Sequence, residues 1–594
     1  MHWSSLEYRC IKVICQKLPL AWLWSDTLTP SQRSELLSWC SNHDCLPSDE
    51  ELARLPQNCF IDSFWLSRLC LSSYQGSLSD AFLGYLSQWL IPDCLDTVTI
   101  RCGYGILDAG LGALLASQQK ITSLKLLELK IVDSHTGLSS LRSPNLQSLE
   151  LMLYVRNEDW NELAKVVENN SGKLVRIAIS TRGVSLPAKP DLFDALVLCQ
   201  RDCLRDLELC NFCIPPQTLS ALLIHCRALK RLKLAGSLQF EQKTMMQIGP
   251  LVSWECLDLT FQVTPPMETY KALQYLPQTL VELSYRFGPS NRNMIVASIL
   301  RLPKLQRLRY HTEFFNDQLV LRLVSALGCE LRWLDIGLSD TLSDAGLEAI
   351  AQFCPNLQHL YVHSDENKTN RTITGVPMLA RVLEMPSGFK DCIKILYLNY
   401  FKALSGDVLQ VLVIECRQLE ELHIAGVRAI CDPLLEVIAN HGKAIRSLDI
   451  RYSFHVSDAG LIRIIQSLPL VYLNISMCYR LTDATINALA DWCPQLETLI
   501  YNGLPQVTKD AMRRLRLLKP SLNRPNKQFL ARTLISHLDC NQRRKRFLER
   551  PKSESVTDVS KSSTSDSKAT KSNKEKQLVD LTEEDSSGKR QKKD

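Results

Sequence analysis

The sequence predicts an α/β solenoid: a curved parallel sheet on one side, helices on the other, built from strand–helix units too small to fold alone. Three observations predict it. The first is a fixed period. The pattern Φ-x-x-Φ-x-Φ begins at Leu66, Leu95, Ile121, Leu146, Leu174, Leu204, Leu229, Trp254, Leu280, Leu305, Leu331, Leu357, Ile393, Leu419, Ile445, Leu470 and Leu496, and from Leu204 onward the steps are 25 or 26 residues with one exception, a step of 36. The second is a recurrent helix start before several copies, LSDAGLEAIAQF (342–353), VSDAGLIRII (456–465) and LTDATINALA (481–490). The third is bulk composition. At 594 residues, with 45% apolar and 22% charged, the chain is too long for one compact core yet too apolar for wholesale disorder, collagen or a coiled-coil rod.

Each unit is justified by its residues. Within Φ-x-x-Φ-x-Φ the apolar positions alternate as in a strand with one buried face. The phrase before it starts a helix: Ser343, Ser457 or Thr482 stands where a hydroxyl accepts from free backbone N–H groups, an Asp follows at the positive helix end, and apolar residues return at spacings of three and four. Neither element buries its apolar side alone. Stacking supplies the core, with strands lining the concave wall and helices the convex one. The clearest copies, CPNLQHLYV (354–362), CRQLEELHI (416–424) and CPQLETLIY (493–501), resemble the cysteine-containing leucine-rich repeat. In that register Cys226, Cys354, Cys416 and Cys493 share one position and read as small buried apolar side chains. The resemblance implies a horseshoe of about 17 repeats over residues 59–520.

Two departures from regularity stand out. The long step from Leu357 to Ile393 carries about ten extra residues, which we place as a loop in polar HSDENKTNRTITG (363–375), serving binding or simply solvated. After Leu496 the helix KDAMRRLRLL (509–518) completes the array. A segment over 527–538, with Phe529, Leu530, Leu534 and Leu538 on one side, is expected to cap that end, within a basic stretch at 521–550.

The usual catalytic constellations are missing. There is no phosphate loop, no GxGxxG after a strand, no HExxH and no GxSxG elbow, so the chain is expected to be non-catalytic and to need no cofactor. Cys210 and Cys213 form one CxxC with His225 and Cys226 downstream. Zinc is the alternative there, but no second CxxC follows and the repeat already accounts for Cys226, so no metal is expected.

What the sequence does offer is a surface. Positions alternating with the leucines point into the concavity: Arg307 and Arg309, Trp333 and Asp335, His359 and Tyr361, Ile395 and Tyr397, Glu421 and His423, Asp449 and Arg451, Tyr472 and Asn474. Protein-binding hot spots favour Trp, Tyr and Arg, so Arg307, Arg309, Trp333, His359, Tyr361, Tyr397, His423, Arg451 and Tyr472 are the candidate substrate-binding residues. The other reading is that neighbouring aromatics stack on one another along the ladder.

Ahead of the repeats, SLEYRCIKVICQKLP (5–19) carries Leu6, Cys10, Val13 and Ile14 on one helical stripe. That stripe either caps the first repeat or enters a partner's groove. Ser5-Leu6-x3-Cys10-x3-Ile14 resembles the elongin-C-binding box at every defined position, and the resemblance implies that Leu6 enters a pocket on elongin C with Cys10 and Ile14 beside it. The following stretch, 28–55, resembles the cullin-contacting part of such boxes through Pro30 and Leu36-Leu37; its spacing is one residue short, and Leu18-Pro19 offers a competing register, so the cullin stays open. Together, a helical region at 1–58 before cysteine-containing repeats resembles antagonist-of-mitotic-exit-like proteins and other substrate receptors of cullin-RING ubiquitin ligases, with elongin B as a further partner. Related F-box receptors use a Skp-type adaptor; Leu18-Pro19 would open an F-box, but the acidic residue and helices expected after it are absent.

The net charge of +6 is local. Lys527, Arg532, Arg543, Arg544, Lys545, Arg546, Arg550 and Lys552 against Asp539 and Glu549 account for all of it, leaving a neutral body with little affinity for phosphate chains. Residues 551–594 lack aromatics and read as disordered. Arg543-Arg544-Lys545-Arg546 and Lys589-Arg590-Gln591-Lys592-Lys593 resemble nuclear-import signals read by importin. QLVDLTEEDSS (577–587) resembles a SUMO-interacting motif: Leu578, Val579 and Leu581 suit strand addition to a sheet edge, and Glu583, Glu584 and Asp585 suit the basic residues beside it. No secretory leader and no run of about 18 apolar residues is present, so a nuclear location, with cytoplasm as a second, is expected.

Overall fold

The computed structural model describes residues 29–42, 66, 68–73, 78–102, 109–130, 141, 143–154, 161–181, 186–187, 190–286, 292–311, 315–338, 341–364, 372–519 and 522. Every described residue lies within the unit Met1–Arg524. No helix among them is long and apolar enough to cross a membrane.

Each of the seventeen apolar positions that set the repeat is almost fully buried, with at most 3% of its surface exposed. A strand begins two residues after each one; Leu331 precedes Trp333–Leu338 and Leu419 precedes Glu421–His423. These strands pair in parallel with their neighbours in chain order. The eighteenth strand of the sheet, Leu186–Pro187, was not expected. It adds only a short pairing beside Phe212 and Cys213. Helices about 10 Å across cannot stack at the ~4.8 Å strand spacing, so the helical side is the longer one and the strands line the inner wall. One continuous apolar core runs between the two layers, from Leu36 to Leu515.

The helix starts confirm the repeat phrase and add to it. Ser343 and Thr482 accept from the backbone N–H of Ala345 and Ala484. Ser457 stands at the same position without capping its own helix. Its hydroxyl turns to Asp432 of the preceding repeat, which also accepts from the Ser457 N–H at 2.8 Å. The same stitch recurs: Asp317 holds Ser343, Asp344 holds Thr374, Asp458 holds Thr482 and Thr485, and Asp483 holds Thr508. At these helix starts one carboxylate thus serves its own dipole and ties down the next repeat.

Helix ends carry the cysteines. Cys226, Cys354, Cys416 and Cys493 close their helices and sit buried. Burial pushes the Cys226 and Cys493 thiols up to about 11 and Cys416 up to about 12, the behaviour of structural thiols.

The array is closed at one end by the helix Pro30–Asn42, which packs on the first strand, Arg68–Ser73; Leu36, Leu37 and Cys40 are buried there and Ser34 donates to the Arg68 carbonyl at 2.6 Å. The Leu36-Leu37 pair is therefore occupied by the solenoid itself. At the other end Lys509–Leu518 forms as expected, burying Ala511, Met512 and Leu515. In the long step, residues 365–371 lie outside the described residues, and part of the extra length forms a second short helix, Phe389–Cys392, after Val376–Glu384.

Candidate protein-binding surface

Two columns of side chains run along the strand face, and their register is fixed by the parallel pairing. One passes through Arg307, Trp333, His359, Ile395, Glu421, Ser447 and Tyr472; the other passes through Arg309, Asp335, Tyr361, Tyr397, His423, Asp449 and Asn474. All of the outward positions read from the sequence fall on these columns except Arg451, which lies just past its strand, Ser447–Asp449.

The wall has two chemistries. Up to about residue 310 it carries pairs of opposite charge on adjacent strands, interrupted by Ala178, Cys256 and Ser284: Lys125 with Glu150 at 2.5 Å, Lys233 with Glu208 at 2.5 Å, Arg231 with Asp206 at 3.9 Å and Arg307 with Glu282 at 3.6 Å. The change comes at Asp335. Its carboxylate takes Arg309 at 2.9 Å and His311 at 2.7 Å and accepts from the Gly337 N–H. Burial works against the Arg309 charge, but the Asp335 and Asp258 carboxylates outweigh it and hold its pKa above the ordinary value.

Beyond that junction the wall is a stack of rings. The Arg307 guanidinium lies 4.0 Å over Trp333, which stacks on His359 at 5.1 Å and Tyr361 at 5.4 Å; Tyr361 meets Tyr397 at 4.5 Å, Tyr397 stacks on His423 at 3.9 Å, and His423 meets Tyr472 at 5.6 Å. Strand spacing of ~4.8 Å is close to the spacing of stacked rings, so each ring covers the faces of its neighbours. The polar atoms inside are held as well. Tyr397 donates to Glu421 at 3.3 Å, His423 meets Ser447 at 2.9 Å, and buried Asp449 lies 3.4 Å from Arg451 and accepts from Asn474. Burial first, then the Glu421 carboxylate, pushes the Tyr397 phenol well above its usual range.

This corrects the expectation of open aromatic anchors. Tyr361, Tyr397, His423 and Tyr472 expose 7%, 3%, 0% and 1% of their surface, less than a docking residue needs. Arg307, Arg309, Trp333, His359 and Arg451 are half-buried. Leu6, Cys10, Val13 and Ile14, the motif from Leu578 to Asp585, and the basic groups at 543–546 and 589–593 all lie outside the described residues. Cys210 and Cys213 sit on one strand, the first half-buried and the second exposed, and among the described residues no three metal-capable side chains converge.

A surface the sequence reading missed lies where the last strands turn toward their helices. Tyr400, Gly426, Tyr452, Met477 and Gly503 adopt left-handed backbone, at φ of 61° to 71°. The N–H groups of the first four donate to the next repeat, at Ala425, Arg451, Ser476 and Asn502, over 2.7 to 2.9 Å. A side chain at Gly426 would strike the Tyr400 ring at 2.6 Å, so glycine is required there. Two residues beyond each turn stand Lys402, Arg428, Phe454, Tyr479 and Pro505, one per repeat. Phe454 and Tyr479 are stacked at 5.5 Å while half of Phe454 and 45% of Tyr479 face solvent. The period itself was the available signal, had it been followed past the strand.

No protein-family model matches the sequence. No curated protein matches it either. Among solved structures, the chain is similar to one described as the Rad7 and Elc1 complex in yeast, at 14% identity over 87% of this chain and 92% of that chain, with a TM-score of 0.34. A TLR13–ssRNA13 complex is 15% identical over 80% of this chain and 67% of that chain, with a TM-score of 0.41. The leucine-rich repeat-containing protein LegL7 from Legionella pneumophila is 13% identical over 48% of this chain and 99% of that chain, with a TM-score of 0.28. Likenesses this distant carry no functional argument; the leucine-rich-repeat solenoid rests on the chain's own strands, helices and buried leucines.

Proposed function

We propose that the chain is a non-catalytic, substrate-binding subunit of a cullin-RING ubiquitin ligase. The single observation that carries this reading is the sequence spacing Leu6-x3-Cys10-x3-Ile14 ahead of the first repeat. The box binds elongin C, with elongin B and a cullin following, while the solenoid holds a protein target. It acts by proximity, raising the target's effective concentration near the charged conjugating enzyme rather than supplying an acid, base or nucleophile. The tail adds nuclear import through its two basic groups and SUMO binding through Leu578, Val579 and Leu581.

Affinity purification of the intact chain tests the ligase link. Recovery of elongins B and C with a cullin, lost in Leu6→Ala with Cys10→Ala, supports it. Recovery of a Skp-type adaptor instead redirects the reading to an F-box receptor, and recovery of neither by the folded chain leaves a nuclear scaffold. For the tail, Val579→Ala with Leu581→Ala should abolish SUMO capture; undiminished capture contradicts the motif.

A further inference from the structure

We propose that the array carries a built-in hinge at the seam between the helices Gly406–Glu415 and Asp432–His441, which opens on its helical side while the strand side stays closed. The inference does not depend on the ligase link.

The stitch that joins neighbouring repeats needs two residues, an aspartate at the first position of one helix and a hydroxyl at the cap of the next. Asp317 with Ser343, Asp432 with Ser457, Asp458 with Thr482 and Asp483 with Thr508 all meet that rule. At this seam both halves are replaced together. Gly406 takes the place of the aspartate, and Cys431 takes the place of the hydroxyl. Glycine offers no side-chain acceptor and a thiol is only a weak donor, so the stitch does not form. Among the described residues Asp407, the next along, makes no bond to Cys431, and neither helix start is capped by a side chain. The Cys431 backbone is bridged instead to His455 of the following repeat.

The neighbouring seams are closed by other bonds. The one before also lacks the aspartate, yet the Ser405 N–H donates to the Thr374 carbonyl at 3.0 Å and Lys390 lies 4.0 Å from Glu415. The one after has both its stitch and the ion pair of Arg463 with Glu436 between helices. Between Gly406–Glu415 and Asp432–His441, among the described residues, no side chain of one helix bonds the other. What remains there is the burial of Leu409, Leu412, Leu435 and Ile438 in the shared core. Such burial has no direction, so it resists separation without fixing an angle.

The strand side of the same seam is held firmly. Ile395–Asn399 and Glu421–His423 pair in parallel, and the Tyr397 and His423 rings stack at 3.9 Å. The Ala425 N–H donates to the Asn399 side chain at 2.8 Å, and the Tyr400 N–H donates to the Ala425 carbonyl at 2.7 Å. Interfaces in a solenoid act between nearest neighbours, so one seam yields without loosening the rest. Stacked rings on one side and an unstitched helical layer on the other make the joint a hinge. Sterics do not demand the glycine: a side chain at Gly406 meets nothing nearer than the Ala429 Cβ at 3.5 Å, so the stitch can be restored.

Hydrogen–deuterium exchange on the full-length chain tests the assignment. Gly406–Glu415 and Asp432–His441 should exchange about tenfold faster than Asp458–Ser467 and Asp483–Trp492. The strands Ile395–Asn399 and Glu421–His423 should stay slow. Gly406→Asp with Cys431→Ser should slow both helices about tenfold, by more than the product of the two single variants, because the new residues bond each other. Exchange as slow as in the stitched helices overturns the proposal in the native chain alone, whether or not the variants fold. So does exchange of the two strands together with the helices, or a double variant no slower than its singles predict.

Discussion

The two halves of the strand wall use one backbone geometry for different ends. From Lys125 to Arg307 the outward residues include four part-exposed charge pairs across adjacent strands; from Trp333 to Tyr472 they are rings and buried polar groups that cover one another. Register is equally regular in both. What differs is side-chain shape: flat rings at strand spacing exclude water from each other, whereas ammonium and carboxylate groups at that spacing satisfy each other and remain hydrated. The aromatic half is thus a second, smaller core on the outside of the sheet, centred on Tyr361, Ile395 and Tyr397 with Trp333 packed against it.

That contrast is open to direct attack. Tyr397→Ala should produce the largest loss, about 3 to 5 kcal/mol, because it opens a hole between Tyr361 and His423 and removes the bond from Tyr397 to Glu421; a loss below about 1 kcal/mol by denaturant unfolding would mean that the stack is ornamental. Next comes Asp458→Ala, which removes the carboxylate that Thr482 and Thr485 share; it should cost about 1 to 3 kcal/mol, seen as earlier unfolding of the last two repeats. Burial favours the neutral form of Asp458, yet the hydrogen bonds from Thr482 and Thr485 outweigh it and hold its pKa below the ordinary value. Its contribution is therefore complete at neutral pH and is lost as pH falls through that lowered value, so Asp458→Asn should flatten the acid limb of the stability profile.

Smaller still, Lys233→Ala should cost less than about 1 kcal/mol, since its pair with Glu208 is half exposed, and salt should erase most of the difference. Cysteine labelling draws the same line without mutation. Exposed Cys213 and Cys329 should react with iodoacetamide at mildly alkaline pH, whereas Cys416, buried and pushed up to about 12, should label only on unfolding; early modification of Cys416 would contradict its place in the core.

Much of this was legible in the sequence, for identifiable reasons. Leu66 through Leu496 announce themselves because every unit must bury the same apolar positions, and the start of each strand follows. Ser343 and Thr482 were readable as caps from local spacing. The Asp432 to Ser457 stitch was not, because its partners are 25 residues apart and the cap rule looks only forward along one helix. The left-handed Tyr400, Tyr452 and Met477 also escaped notice, since only glycine advertises that conformation. Tyr397 and His423 were correctly assigned to the inner wall but not to its interior: alternation says which way a side chain points, and the neighbouring repeats decide what covers it.

Hydrogen–deuterium exchange along the intact chain tests most directly the claim that the aromatic wall is part of the fold. The strands Ile395–Asn399, Glu421–His423, Ser447–Asp449 and Tyr472–Asn474 should exchange more slowly than Ser123–Lys130 and Ser148–Tyr154 in the charged half. Equal or faster exchange in the aromatic strands would contradict the account.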